Sequence, residues 1–246
     1  MLDPLHQFVI SPILKIKVGS LDLSFTNSSF AVMVALFSVV AFLTFGARNK
    51  KLIPDRAQAL LEKVYLLIID LIDANIGKEG RQYFPFIFSV FLFVLFGNVI
   101  GLIPGMFTFT SHIIVTFALA MFVFIVVTVL GFMLHGIKFL GLFAPSGVPW
   151  FLMPLVILIE LISYLMRPFS LAIRLFANMM AGHAVLKIFA GLIGVFPGAG
   201  ACITSLLIIT PLNVCLTGLE LMVAILQAYI FALLTCVYLN DAVHLH

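Results

Sequence analysis

Glu160, Arg167 and Arg174 recur at intervals of seven in an otherwise apolar stretch, and Asn178 follows Arg174 by four. On a helix this spacing stacks all four on one face. His183 and Lys187 fall on the opposite side. A second apolar stretch repeats the theme, with Asn213, Glu220 and Gln227 again seven apart and Thr217 beside them. Between these groups the residues are small: Ser163, Ser170, Ala172, Ala177, Ala181, Gly182 and Ala184. An arginine stays charged at any working pH, and a charge at a bilayer centre costs at least ~2.5–3.5 kcal/mol. No carboxylate lies four residues from Arg174, so its partner belongs to another segment or another chain. A histidine with a glutamate available on the neighbouring stretch suits a proton relay. The chemistry indicated is proton transfer along a polar path beside one fixed cation, on a smooth face against which something else moves. Structural readings stand beside it: Glu160 and Arg167 as an ion pair, and His183 as a satisfied core histidine.

Composition sets the elements that must hold these residues. Of 246 residues 63% are hydrophobic and 9% charged, against roughly 25% charged in soluble domains. All but seven of the charged residues precede residue 82, and Lys138 is the only one between Gln82 and Ile159. The expected fold is an all-α polytopic membrane protein, a single membrane domain over 1–246. A net charge of +3 is too small and scattered for a nucleic-acid partner. Cys202, Cys215 and Cys236 have no CxxC spacing and read as small core residues. The motifs GxxxxGK[ST], HExxH and GxSxG are absent, so no nucleotide, zinc-protease or esterase site is expected, and no cofactor or metal. The first residues carry neither a short apolar signal core nor an Arg/Ser-rich transit pattern, which fits a bacterial chain or one made inside the organelle that uses it.

Residues 28–47 give a first span of the length a ~30 Å hydrocarbon layer needs. Over 54–76, Asp55, Arg56, Gln58, Glu62, Lys63, Asp70 and Asp73 gather on one side of an otherwise apolar helix. That pattern lays the helix along the membrane surface; packing on a soluble partner is the other reading. Spans at 83–103 and 113–134 form a hairpin over 83–135. Arg48, Lys50, Lys51, Arg56, Lys63, Lys78, Arg81 and Lys138 then share one side, the cytoplasm or matrix, and the N-terminus faces outward. The stretches 150–196 and 201–239 would measure roughly 70 and 58 Å as single helices. Each is either two ordinary spans broken near Pro168 and Pro211, or one long oblique helix, the two joined at 197–200 as a proton-path pair over 150–240.

At these residues the sequence resembles subunit a of the rotary ATP synthase membrane sector. "RPFSLAIRLFANMMAGH" is similar to that family's signature segment, "ELMVAILQAYIFALLTCVYLNDA" to its C-terminal one, and "FGNVIGLIPG" with "TSH" to its middle hairpin. The resemblance covers essentially the whole chain and is nearest to mitochondrial members of plant or protist type and their alphaproteobacterial relatives. It implies five spans, an interfacial helix, and last two helices that run obliquely around a rotor ring of c subunits. The other implied partners are the peripheral-stalk and membrane-sector subunits and the lipid bilayer. The implied location is the mitochondrial inner membrane or, alternatively, a bacterial plasma membrane.

The resemblance also implies roles. Arg174 faces the rotor carboxylates and separates two half-channels, with Asn178 and Gln227 as polar neighbours. His183 and Glu220 line the outer path, and Asn213 and Ser170 are read as further polar residues of the proton path. Glu160 belongs to the inner path, with Asp241 at its mouth. The chain itself would carry no nucleotide chemistry. The competing class is a proton-coupled secondary transporter or simple channel, but no internal repeat suggests inverted halves. A purely structural anchor would leave Arg174 unexplained.

Overall fold

A computed structural model describes residues 9–15, 17–18, 21–22, 24–48, 51, 53–103, 106–143, 149–192, 207 and 209–244. The link expected at 197–200, Cys202, residues 49–50 of the basic run and residues 104–105 of the hairpin turn lie outside the described residues. Among the described residues six α-helices follow one another: α1 (Asn27–Arg48), α2 (Arg56–Asn75), α3 (Phe84–Gly101), α4 (Ile113–His135), α5 (Met153–Leu192) and α6 (Thr210–Val243). Among the described residues five segments are long and apolar enough to cross a membrane: Asn27–Arg48, Lys78–Gly101, Ile113–Phe143, Met153–Phe189 and Thr210–Val243. The chain is an all-α polytopic membrane protein, and its first four helices match the expected segments closely.

The two long stretches resolve differently from each other. Helix α5 runs 40 residues with Pro168 inside it, about 60 Å at 1.5 Å per residue. Pro168 removes one helix hydrogen bond, to the Tyr164 carbonyl, without ending the helix. The reading of two spans broken there is not what forms. Helix α6 has 34 residues and starts at Thr210, so Pro211 occupies its first turn. There a missing N–H costs nothing, because the first amides of a helix lack intrahelical partners anyway. Pro211 thus marks a start rather than a mid-helix break. Neither helix can stand upright within a ~30 Å hydrocarbon layer.

The chain packs as two compact units, each assembled from separate stretches. The first comprises Met1–Leu43, Leu92–His112 and Leu175–Ala228. It holds two short antiparallel pairs that the sequence pattern did not announce: β1 (Pro12–Leu14) with β4 (Phe25–Thr26), and β2 (Lys17–Val18) with β3 (Leu21–Asp22). Asn27 ties this ribbon to α1. Its amide donates to the Ser11 carbonyl at 3.1 Å, and its side-chain Nδ2 to the Val9 carbonyl at 3.1 Å. Thr26 Oγ1 accepts the Ser29 amide at 3.3 Å, a side-chain cap on the first turn of α1. Farther along, the Phe109 ring lies over Gly97, where a Cβ would come within 2.5 Å of the ring.

The second unit comprises Thr44–Phe91, Ile113–Arg174 and Tyr229–His246. In α2 the residues Ile68, Leu71 and Ile72 are buried, which fixes its apolar face. Gly77, at φ 86°, turns the chain out of α2, a conformation glycine adopts without a Cβ penalty. Arg81 then reaches back to grip the Asp73 carboxylate with two nitrogens, Nε at 2.9 Å. That bond holds the Asp73 carboxyl below its ordinary range. Gly136, at φ 58°, ends α4 in the same way, and His135 Nε2 lies 3.0 Å from the Val243 carbonyl.

Candidate functional site

The first unit gathers buried polar groups from α3, the segment after it, α5 and α6. His183 on α5 and Glu220 on α6 meet with Nδ1 and Oε1 3.6 Å apart, their side chains 11% and 3% exposed. Both Glu220 carboxyl oxygens are buried without a hydrogen-bond partner among the described residues. A buried carboxyl that makes no hydrogen bond is expensive as a structural element; as a group that takes up and gives up a proton, its placement has a use. Gly182 makes this position possible, because a Cβ there would come within 2.5 Å of Glu220 Oε1. A cavity of about 230 Å³ borders Asn178, Gly182 and Glu220.

Three of the other expected residues, Asn178, Gln227 and Asn213, lie in the same unit as this pair. Asn178 Nδ2 donates to Gln227 Oε1 at 2.7 Å, linking α5 to α6. Gln227 is buried, and its Nε2 lacks a hydrogen-bond partner among the described residues. Asn213 is half-buried, and its backbone carbonyl accepts the Thr217 hydroxyl at 2.8 Å. Its side-chain oxygen is a further buried acceptor with no hydrogen-bond partner among the described residues. The sequence singled out all of these. It missed Asn98, fully buried, whose Nδ2 donates to the Ala224 carbonyl at 3.3 Å. It also missed Thr108, whose Oγ1 lies 3.0 Å from His183 Nε2. Neither residue has a periodic signal, since each is selected by a partner far along the chain.

Arg167 and Asp241 meet in the second unit, Nη1 to Oδ2 at 2.7 Å. The guanidinium lies between two aromatic rings, 5.1 Å from the centroids of Tyr164 and of Tyr238. Thr128 Oγ1 donates to the Phe124 carbonyl at 2.7 Å and lies 2.8 Å from the Tyr164 hydroxyl. Its single proton is therefore used, and Tyr164 is the donor. The Glu160–Arg167 ion pair, the structural alternative for these residues, does not form. A separation of seven residues spreads the two along ~10.5 Å of helix axis, beyond the reach of i,i+4 pairs, and Asp241 takes the arginine instead. Glu160 is half-buried with no salt bridge among the described residues. Ser170 and Arg174 are exposed. Among the described residues Arg174 makes neither a salt bridge nor a side-chain hydrogen bond, whereas Arg167 seven residues earlier makes both.

Residues 28–240 match the family profile described as ATP synthase A chain. The chain is 49% identical over 248 residues to "ATP synthase subunit a" of Parvibaculum lavamentivorans, covering 98% of this chain and 94% of that protein. It is 50% identical to the protein of that name from Chelativorans sp., covering 98% of each. Against the Pelagibacter ubique protein the identity is 48%, over 99% of this chain and 98% of the relative. With the family profile spanning most of the chain and relatives this similar over nearly its whole length, the chain belongs to the ATP synthase A chain family.

Proposed function

We propose that Arg174 is the fixed cation that meets the rotor carboxylates, and that His183 and Glu220 form the outer proton path leading to it. The chain, as a member of its family, is a stator subunit of the rotary ATP synthase in the membrane sector, and translocates protons. A proton-coupled secondary transporter is not favoured. The named relatives are bacterial, in line with the plasma-membrane alternative for location. The residue roles below, the ring of c subunits as the partner and the absence of catalysis in this chain are our reading.

One observation carries it: a charged arginine in a membrane-spanning helix is exposed and makes no salt bridge or side-chain hydrogen bond among the described residues. Such a charge needs a partner from outside the chain. A proton enters past His183 and Glu220 and neutralises a rotor carboxylate, which can then turn into lipid. After nearly a full turn that carboxylate reaches the inner path near Glu160 and releases its proton. Arg174 favours the release, because a nearby cation stabilises the ionised carboxylate. It also separates the half-channels, since a fixed positive charge repels a proton taking the direct route. Asp241, which Arg167 holds, sits at the mouth of that inner path.

The attraction at Arg174 must stay moderate. Two charges 4 Å apart attract by ~4 kcal/mol at an effective dielectric of 20 and ~20 at 4, while one charge crossing 100 mV yields ~2.3 kcal/mol. A dry, tight pair would stall the rotor, so Arg174 works in a hydrated setting. Replacing Arg174 by alanine in the intact complex tests the assignment. ATP-driven proton pumping is lost while the complex assembles with its ring. Normal pumping by an assembled Arg174→Ala complex overturns it.

A further inference from the structure

The Thr108 hydroxyl owns one proton, and the Gly101 carbonyl is placed to take it. Thr108 Oγ1 donates to the Gly101 carbonyl at 3.0 Å, an oxygen that has no proton to give. The same Oγ1 lies 3.0 Å from His183 Nε2. With its proton committed to Gly101, Thr108 can meet the imidazole only as an acceptor, so Nε2 must bring the hydrogen. A neutral imidazole carries one N–H. Nδ1, the nitrogen that faces Glu220 Oε1 at 3.6 Å, is then unprotonated.

We infer that Thr108 is a positioning residue that fixes the Nε2–H tautomer of His183, so that Nδ1 is the nitrogen that exchanges protons with Glu220. This rests on reading His183 and Glu220 as one proton path. Thr108 is buried, and its position depends on glycine: a Cβ at Gly101 would lie 2.6 Å from Thr108 Cγ2. The opposite tautomer would bring a bare Nε2 against Oγ1. Thr108 could answer only by withdrawing its proton from Gly101 and leaving that carbonyl without it. The arrangement also suits both states a relay visits. Nε2–H donates to Thr108 whether the ring is neutral or cationic, so the proton at Nε2 stays while the one at Nδ1 comes and goes. Lys187, one turn further along α5, is the charged neighbour on His183's own helix, and it leaves this hydrogen-bond logic unchanged.

The test uses the assembled complex in lipid vesicles with ¹⁵N-labelled histidine. Solid-state NMR at a pH where the ring is neutral assigns the His183 signal by difference against His183→Ala. The expected spectrum shows a protonated ε nitrogen and a bare δ nitrogen. Thr108→Val keeps the methyl group and removes the hydroxyl; it populates the other tautomer and lowers proton flux about tenfold. Thr108→Ser retains the wild-type tautomer and flux within about twofold. The Thr108→Val, His183→Ala double variant conducts no worse than His183→Ala alone. A protonated δ nitrogen in the wild type overturns the inference, and so does a Thr108→Val complex with unchanged tautomer and flux. Normal flux in His183→Ala would instead remove the proton-path reading, while the wild-type spectrum still decides the tautomer. Should Thr108→Val fail to assemble, the wild-type and serine spectra decide alone.

Discussion

Arg167 and Asp241, 74 residues apart in the chain, meet at 2.7 Å with the guanidinium held between the Tyr164 and Tyr238 rings. Their side chains are 19% and 25% exposed, so water screens the pair only in part. A charged hydrogen bond and two cation–π contacts converge on one side chain, which fastens α5 to the end of α6 within the second unit.

Removing either member should therefore loosen that unit. Arg167→Ala and Asp241→Ala are each expected to lower the retention of the subunit in the detergent-solubilised complex. The double variant should be little worse than the poorer single, with a coupling of about 1–3 kcal/mol. Lysine at 167 should restore little, because it lacks the planar fork that stacks between the rings. Independent, additive losses would show that the contact carries no shared energy.

His183 and Glu220 are expected to behave as one relay. Alanine at either position should slow proton entry strongly, measured as flux in reconstituted vesicles driven from the outer side. The double alanine variant should match the poorer single. Exchanging the two residues, His183→Glu with Glu220→His, should recover part of the flux, because the same two groups remain side by side. Multiplying losses with no recovery on exchange would mean they act separately.

Gly182→Ala examines the approach of Glu220 to α5. The added methyl would sit 2.5 Å from Glu220 Oε1, so the carboxyl must move away from His183. Proton flux should fall about tenfold with the helix intact. The control is Gly191→Ala, where nothing among the described residues lies within 4 Å of the new Cβ and alanine favours the helix by roughly 1 kcal/mol. Equal effects of the two alanines would count against a steric origin.

Orientation follows from the distribution of lysine and arginine. A cysteine at Ser11 should react with impermeant reagents from the outer face, and one at Lys51 only from the basic side. Labelling of both from one face would reverse the assigned topology.

The sequence by itself determined the class of protein, the approximate bounds of its first four helices and nearly every polar residue of the candidate site. Those features depend on transfer free energies and on neighbours within about four residues, which a linear pattern records. Arg174 was legible for that reason, as a charge lacking a partner on its own helix. Tertiary structure decided who meets whom. Arg167 binds Asp241 rather than Glu160, because a seven-residue step along one helix outruns a side chain while another helix brings a carboxylate within 2.7 Å. Thr108 reaches His183 across 75 residues, with no spacing rule to announce it. Pro168 left two readings open, since losing one helix hydrogen bond either breaks a helix or is absorbed by its packing, and here α5 continues through it. The ribbon ahead of α1 was equally hidden: its strands are two or three residues long, too short for an alternating pattern to register.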